Sequence, residues 1–139
     1  MKFSIILPTY NRADTYLKGA IDSIVSQSYD NWELLIIDNH SQDFTDELID
    51  SYKDHRIKTY KIHNDGNIAK SRNLGIKKSS GDYIALIDSD DFWHKDKLKI
   101  SLEYLEKNKL NGLCHSEYWL YETGETETRH YGLAGFSYN

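Results

Sequence analysis

The sequence holds one cysteine, one proline and one methionine among 139 residues. A lone cysteine, Cys114, excludes an internal disulfide and any cysteine-rich metal site. The lone proline, Pro8, and eight scattered glycines leave no linker and no low-complexity stretch. A single domain over residues 1–139 is therefore expected, long enough to bury a substantial core. No apolar run is long enough to cross a bilayer. The apolar stretch at residues 3–7 stops at Pro8 and is too short for a signal peptide. The expected setting is cytoplasmic, with peripheral contact to the inner face of the membrane left open. Positive charge is scarce: 17 lysines and arginines against 22 aspartates and glutamates give a net charge of -5, which opposes a nucleic-acid surface. No G-x-G-x-x-G follows the first apolar run and no Walker A lysine motif occurs, which argues against a dinucleotide fingerprint or a P-loop.

What is present is alternation. Residues 3–7, 32–37, 57–62 and 83–87 read as strands, the third less buried than the others and the fourth buried on both faces. Leu17, Ala20, Ile21, Ile24 and Val25 recur at i, i+3, i+4, i+7 and i+8, one face of a helix that Asn11 is placed to cap. Phe44, Leu48, Ile49 and Tyr52 give a second helix its apolar side. The turn His63-Asn64-Asp65-Gly66-Asn67 leads into a third helix over 68–78, closed near Gly81. A fourth, over 95–107, buries Leu98, Leu102 and Leu105. Residues 113–121 and 126–131 read as a strand and its hairpin partner across a turn at 122–125, and residues 133–139 show no period. Four strand–helix alternations imply an α/β fold, a three-layer α/β/α sandwich around a mainly parallel, Rossmann-like central sheet.

Three strands end in polar residues: Thr9 and Tyr10 after the first, Asp38 after the second, and Asp88-Ser89-Asp90-Asp91 after the fourth. Ligands of open α/β sheets bind outside the carboxyl ends of the strands. Three carboxylates within four residues repel one another, and Mn²⁺ or Mg²⁺ with oxygen ligands would relieve that repulsion. The competing reading is an acidic turn capping the next helix. Tyr10 suits stacking on a base, Asp38 suits a base N–H, and Arg72 suits a phosphate or bracing of Asp88 or Asp90. Each also has a plain structural reading as a loop aromatic, a helix cap or a surface arginine. His63, His94 and His115 lack metal-ligand spacing and read as structural or surface residues.

Four segments carry a resemblance: Ser4-Ile5-Ile6-Leu7-Pro8-Thr9-Tyr10-Asn11-Arg12, Leu34-Leu35-Ile36-Ile37-Asp38-Asn39, the stretch from Gly66 to Gly75, and the stretch from Gly81 to Asp91. In this order they make the chain similar to the nucleotide-sugar-binding half of GT-A-fold family 2 glycosyltransferases. The resemblance implies transfer of a sugar from a nucleotide-diphosphate donor, UDP-linked by expectation, to a saccharide or glycolipid hydroxyl, with inversion. It implies that Pro8, Thr9, Tyr10 and Arg12 line the donor site and that Asp38 contacts uracil. Arg72, Asp88 and Ser89 would lie by the nucleotide. Asp90, Asp88 and Asp91 would hold Mn²⁺ or Mg²⁺, with Asp90 the direct ligand. Residues 1–110 would form the donor-binding half and 111–139 the start of the acceptor half, truncated at the C-terminus relative to the family and lacking its general base. The alternative is a nucleotide-sugar-binding module without turnover. Self-association through an unpaired sheet edge stays open.

Overall fold

The computed structural model describes residues 1–107, 118–120 and 129–131. Strands and helices alternate as β1 (Phe3–Thr9), α1 (Leu17–Val25), β2 (Trp32–Asp38), α2 (Thr45–Ser51), β3 (Ile57–Lys61), α3 (Ile68–Lys78), β4 (Tyr83–Leu86) and α4 (Lys97–Lys107). The chain divides into two compact units, Met1–Ile100 and Ser101–Asn139. In the second, β5 (Tyr118–Leu120) and β6 (Arg129–Tyr131) pair antiparallel, with Tyr118 opposite Tyr131. They fall inside the two segments expected to form a hairpin; the turn at 122–125 and residues 133–139 lie outside the described residues. No described helix is long and apolar enough to cross a membrane.

The four strands of the first unit form a parallel sheet in the order β3-β2-β1-β4. The path from β1 through β2 to β3 steps one way across the sheet, and the path from β3 to β4 steps back past β1. Right-handed crossovers then place α1 and α2 on one face and α3 on the other. On the α3 face, Ile6, Leu35 and Ile37 pack with Tyr60, Ile62 and Leu74. Gly75 lets the helix approach: a Cβ there would stand 2.5 Å from Cγ2 of Ile6. On the other face Phe3, Ile5, Leu7, Leu34 and Ile36 are buried, as are Leu17, Ala20, Ile21 and Ile24 of α1. Both central strands are covered on both sides, which is the expected three-layer arrangement.

Three expectations need correction. First, β1 continues through Pro8 to Thr9. The Ile6 carbonyl accepts from Ile87 N–H and the Thr9 carbonyl from Asn39 N–H. By alternation the missing N–H of Pro8 falls on the β4 side, beyond the end of β4 at Leu86, where no ladder partner is lost. Second, β4 is not buried on both faces: Ile84 and Leu86 are 41% and 48% exposed, and among the described residues β4 pairs only with β1. Third, Asn11 does not cap α1. A turn in which the Arg12 carbonyl accepts from the N–H groups of Thr15, Tyr16 and Leu17 precedes that helix, and Tyr16 at its N-cap makes no side-chain capping bond. Asn11 is in the left-handed region at φ 50° and bonds to the loop after β2 instead.

Candidate donor-binding site

The strand order reverses between β1 and β4, and a parallel sheet opens a crevice at such a point. A cleft of about 380 Å³ lies there, lined by Pro8, Thr9, Tyr10 and Arg12 from the end of β1, by Asp88, Ser89 and Asp90 from the end of β4, and by Asn39, Asn64, Gly66 and Ile68. Seven of the expected donor-site residues thus meet on its walls. Tyr10 is 53% exposed, so its ring is available to a ligand. The Thr9 hydroxyl is buried with no hydrogen-bond partner among the described residues.

The acidic loop is shaped by two contacts. The Asp91 N–H donates to the Asp88 carbonyl at 3.1 Å, closing a tight turn. The Arg72 guanidinium donates from Nη2 to Oδ1 of Asp88 at 2.7 Å. Arg72 therefore braces an aspartate, one of its expected roles, and α3 is what carries it there. Partial desolvation, with the charges of Asp88 and Asp90, raises the pKa of Asp91. Among the described residues no group of three His, Cys, Asp or Glu side chains is placed to hold a metal ion. Two carboxylates on the cleft wall still fit a hard cation: Mg²⁺ and Mn²⁺ commonly take one or two carboxylates and complete their shell with substrate phosphates and water. Asp88 and Asp90 are that pair, and Asp91 lies outside the cleft lining.

Asp38 is fully buried. Its carboxylate accepts from the Ser41 N–H at 3.1 Å, from the Ser41 hydroxyl, and from Lys61 Nζ at 2.6 Å. Both oxygens are engaged by protein groups, so Asp38 holds the loop over residues 39–42. That loop is stitched to the one after β1: Asn11 N–H donates to the Ser41 hydroxyl at 2.9 Å, and Gln42 N–H donates to Oδ1 of Asn11 at 2.7 Å. Asn39 Oδ1 accepts from the Asn64 N–H at 2.8 Å, joining the loop after β3 as well.

The resemblance marks His40 as a departure from the family's small or polar residue that could alter the base pocket, and His63 reads from sequence as structural or surface. His40, at φ 55°, stacks on His63 with ring centroids 3.9 Å apart and planes 16° from parallel. The two imidazoles line a second cleft of about 350 Å³ with Tyr10, Asn39, Gln42 and Asp65. The signal that singled out Tyr10, a position just past the carboxyl end of a parallel strand, applies equally to Asn39, His40 and His63.

The sequence pattern of the glycosyl transferase family 2 matches residues 4–136. The chain belongs to this family. An uncharacterized glycosyltransferase of Rickettsia conorii is 42% identical over 134 residues, 95% of this chain and 22% of that protein. The Escherichia coli UDP-Glc:alpha-D-GlcNAc-diphosphoundecaprenol beta-1,3-glucosyltransferase WfgD is 38% identical over 108 residues, 78% of this chain and 42% of that protein. Among solved structures, Staphylococcus aureus TarS 1-349 in complex with UDP-GlcNAc superposes with a TM-score of 0.73 at 27% identity, over 84% of this chain and 37% of that one. This glycosyltransferase chain therefore spans less than half the length of each of these relatives.

Proposed function

We propose that the chain is the donor-binding part of a metal-dependent glycosyltransferase that moves a sugar, with inversion, from a UDP-linked donor to a hydroxyl of a saccharide or glycolipid. The observation that carries this is the cleft at the switch point, where the end of β1 faces Asp88, Ser89 and Asp90. Family membership supports it. So do the UDP-GlcNAc bound to TarS and the UDP-Glc in the name of the E. coli relative. The diphosphoundecaprenol in that name favours a cytoplasmic site at the inner face of the membrane.

A diphosphate brings negative charge into a cleft that already holds two carboxylates. Mn²⁺ or Mg²⁺ at Asp90 and Asp88 would neutralise the departing diphosphate. Arg72 fixes the orientation of Asp88 by a charge-assisted hydrogen bond, which leaves Asp90 as the direct ligand. Arg12, on the cleft wall, supplies a positive charge for phosphate. Tyr10 offers a ring face to the base or the sugar. The group that activates the acceptor hydroxyl is assigned outside residues 1–107.

Calorimetric titration of UDP with Mn²⁺ and with excess EDTA tests this. UDP is expected to bind at least about tenfold more tightly with Mn²⁺, a difference of 1.4 kcal/mol. Asp90→Asn is expected to abolish that dependence without lowering the unfolding temperature. Equal affinity under both conditions refutes the metal role. A second reading, donor binding without turnover, is favoured by one observation: among the described residues this cleft's lining offers no carboxylate beyond Asp88 and Asp90 to serve as a base. Transfer from a UDP-sugar to an acceptor by this chain alone removes it.

A further inference from the structure

We infer that Asn64 is a positioning residue for the cation: it fixes the first turns of α3 so that Arg72 holds Asp88 in place for a divalent ion; this rests on the metal-dependent donor reading above. The argument begins with Arg72. Its Nη2 donates to Oδ1 of Asp88 at 2.7 Å, while its Nε is buried with no hydrogen-bond partner among the described residues. Asp88 is thus the one side-chain partner of this guanidinium among the described residues. No second bond steers it. Its place is set by the backbone it grows from, early in α3, and that backbone is anchored from the loop before the helix.

Asn64, in the loop after β3, has its N–H, carbonyl, Oδ1 and Nδ2 all engaged. The N–H donates to Oδ1 of Asn39 at 2.8 Å, which ties Asn64 to the loop after β2. Its Oδ1 accepts from the Gly66 N–H at 2.9 Å, and its carbonyl accepts from the Asn67 N–H at 2.9 Å. These two bonds close a turn in which Asp65 and Gly66 both lie in the left-handed region, at φ 54° and 74°, a turn that an asparagine side chain bonding two residues on favours. The turn delivers Asn67 to its place as the cap of α3. Finally, Nδ2 donates to the Ser71 hydroxyl at 3.0 Å. Ser71 is fully buried and Asn64 is 9% exposed, so this bond is shielded from water and costly to leave unmade. Ser71 directly precedes Arg72. The bond therefore fixes the rotation of α3 at the residue before the guanidinium. Asn64 also lines the cleft that Asp88, Ser89 and Asp90 line. A group that orients a metal ligand from behind tunes the metal's affinity without touching the ion. Arg72 does this for Asp88, and Asn64 does it one step further back.

The test measures UDP affinity by calorimetry in excess EDTA and at a series of Mn²⁺ concentrations, and reads the Mn²⁺ concentration at which half of the affinity gain is reached. The variants are Asn64→Ala, Ser71→Ala, Arg72→Ala and the double variant Asn64→Ala with Arg72→Ala. Ser71→Ala removes only the partner of Nδ2, so it tests the same link with the turn over residues 64–67 intact. Glu33→Gln is the control, since it weakens buried hydrogen bonds at the opposite end of the sheet. Losing an outer-shell partner costs about 10–100-fold in metal affinity, so the midpoint is expected to move at least about tenfold higher in Asn64→Ala and in Ser71→Ala. UDP affinity in EDTA stays at the wild-type value. Glu33→Gln keeps the wild-type midpoint at a lower unfolding temperature, which separates loss of position from loss of stability. The double variant moves no further than Arg72→Ala alone, because the two residues act in series. A wild-type midpoint in Ser71→Ala overturns the inference while leaving the donor reading standing. A double variant that shows the product of the two single shifts also overturns it, since Asn64 then acts apart from Arg72. An equal shift in Glu33→Gln does the same, since it marks a merely structural role. Equal UDP affinity of the wild type with Mn²⁺ and with EDTA overturns the metal reading and this inference together.

Discussion

Tyr10 and Asp38 occupy matching places, one just past the end of β1 and one at the end of β2, and their substitutions are expected to fail in different ways. Tyr10 is 53% exposed, so Tyr10→Ala removes a ring face with little loss of packing. UDP affinity is expected to drop about tenfold by calorimetry, with the unfolding temperature unchanged. Asp38 is fully buried and paired to Lys61. Asp38→Ala leaves Lys61 with Asp46 alone and strips Ser41 of its acceptor. Removing one member of a buried, hydrogen-bonded charge pair costs several kcal/mol, and Lys61, about one third exposed, recovers part of that through water. A net loss near 2 kcal/mol is expected in a urea titration. A wild-type urea midpoint for Asp38→Ala combined with lost UDP binding would restore Asp38 as a direct contact.

At the scale of elements, α3 links the sheet to the site. Asn67 caps it by accepting from the Ala69 N–H at 3.0 Å, and Lys77 and Lys78 occupy its last turn, where cations complement the helix dipole. Its close approach to β1 depends on Gly75. Alanine in a helix gains about 1 kcal/mol over glycine where nothing interferes. At Gly75 a Cβ meets Cγ2 of fully buried Ile6 at 2.5 Å and Cγ1 at 3.0 Å, and overpacking of that kind costs about 1–3 kcal/mol. The clash outweighs the helix gain, so Gly75→Ala is expected to destabilise by about 1 kcal/mol. Because α3 carries Arg72, the same variant is expected to weaken UDP binding with Mn²⁺. Gly19 in α1 is the control: nothing stands within 4 Å of its added Cβ, and Gly19→Ala is expected to stabilise by about 0.5–1 kcal/mol. Thermal melts of the two variants should move in opposite directions.

At the scale of the first unit, one carboxylate ties together the end of the sheet opposite the cleft. Glu33 in β2 is 2% exposed. It accepts from the Ser4 hydroxyl in β1 at 2.7 Å, from Lys58 in β3 at 2.9 Å, and from the Ser80 N–H and hydroxyl, each at 2.8 Å, just before β4. Lys2 adds an ion pair at 3.2 Å. Gly81 beside it admits no side chain, because a Cβ would stand 2.7 Å from the Lys2 carbonyl and the Ser4 nitrogen. Burial pushes the Glu33 carboxyl up, but the hydrogen bonds from Lys58, Ser4 and Ser80 outweigh it and hold it well below the usual carboxylate range. A depressed folded-state value means the unfolded chain binds the proton first. The stabilisation is complete above the ordinary glutamate range near 4.3 and is lost as pH falls below it. Glu33→Gln is expected to lower stability at pH 7 by about 2 kcal/mol and to flatten the fall in unfolding free energy between about pH 5 and pH 3. Parallel pH curves for wild type and variant would show that Glu33 contributes no proton linkage.

Apolar runs and helical stripes made the alternation of β1 to α4 readable from the chain alone, and alternation with parallel pairing leaves few topologies. The end of the sheet that carries the cleft was readable for the same reason: Pro8 and Thr9 close β1, and Tyr10 and Asp88 to Asp90 follow the carboxyl ends of strands that any such sheet sets side by side. Local period does not say which strand has a neighbour on each side. The uncharged run ending at Ile87 looked doubly buried, yet Ile84 and Leu86 are exposed, and among the described residues β4 has one neighbouring strand. A carboxylate at the end of β2 read from sequence as a base contact or a helix cap; its ion pair with Lys61, 23 residues away, was not legible there. The His40–His63 stack joins two loops that spacing treats as unrelated. Composition and pattern determined the elements and the end of the sheet at which chemistry is placed. Which side chains face the ligand, and which are consumed in holding the loops, depended on contacts between residues far apart in sequence, and those exist only once the sheet has formed.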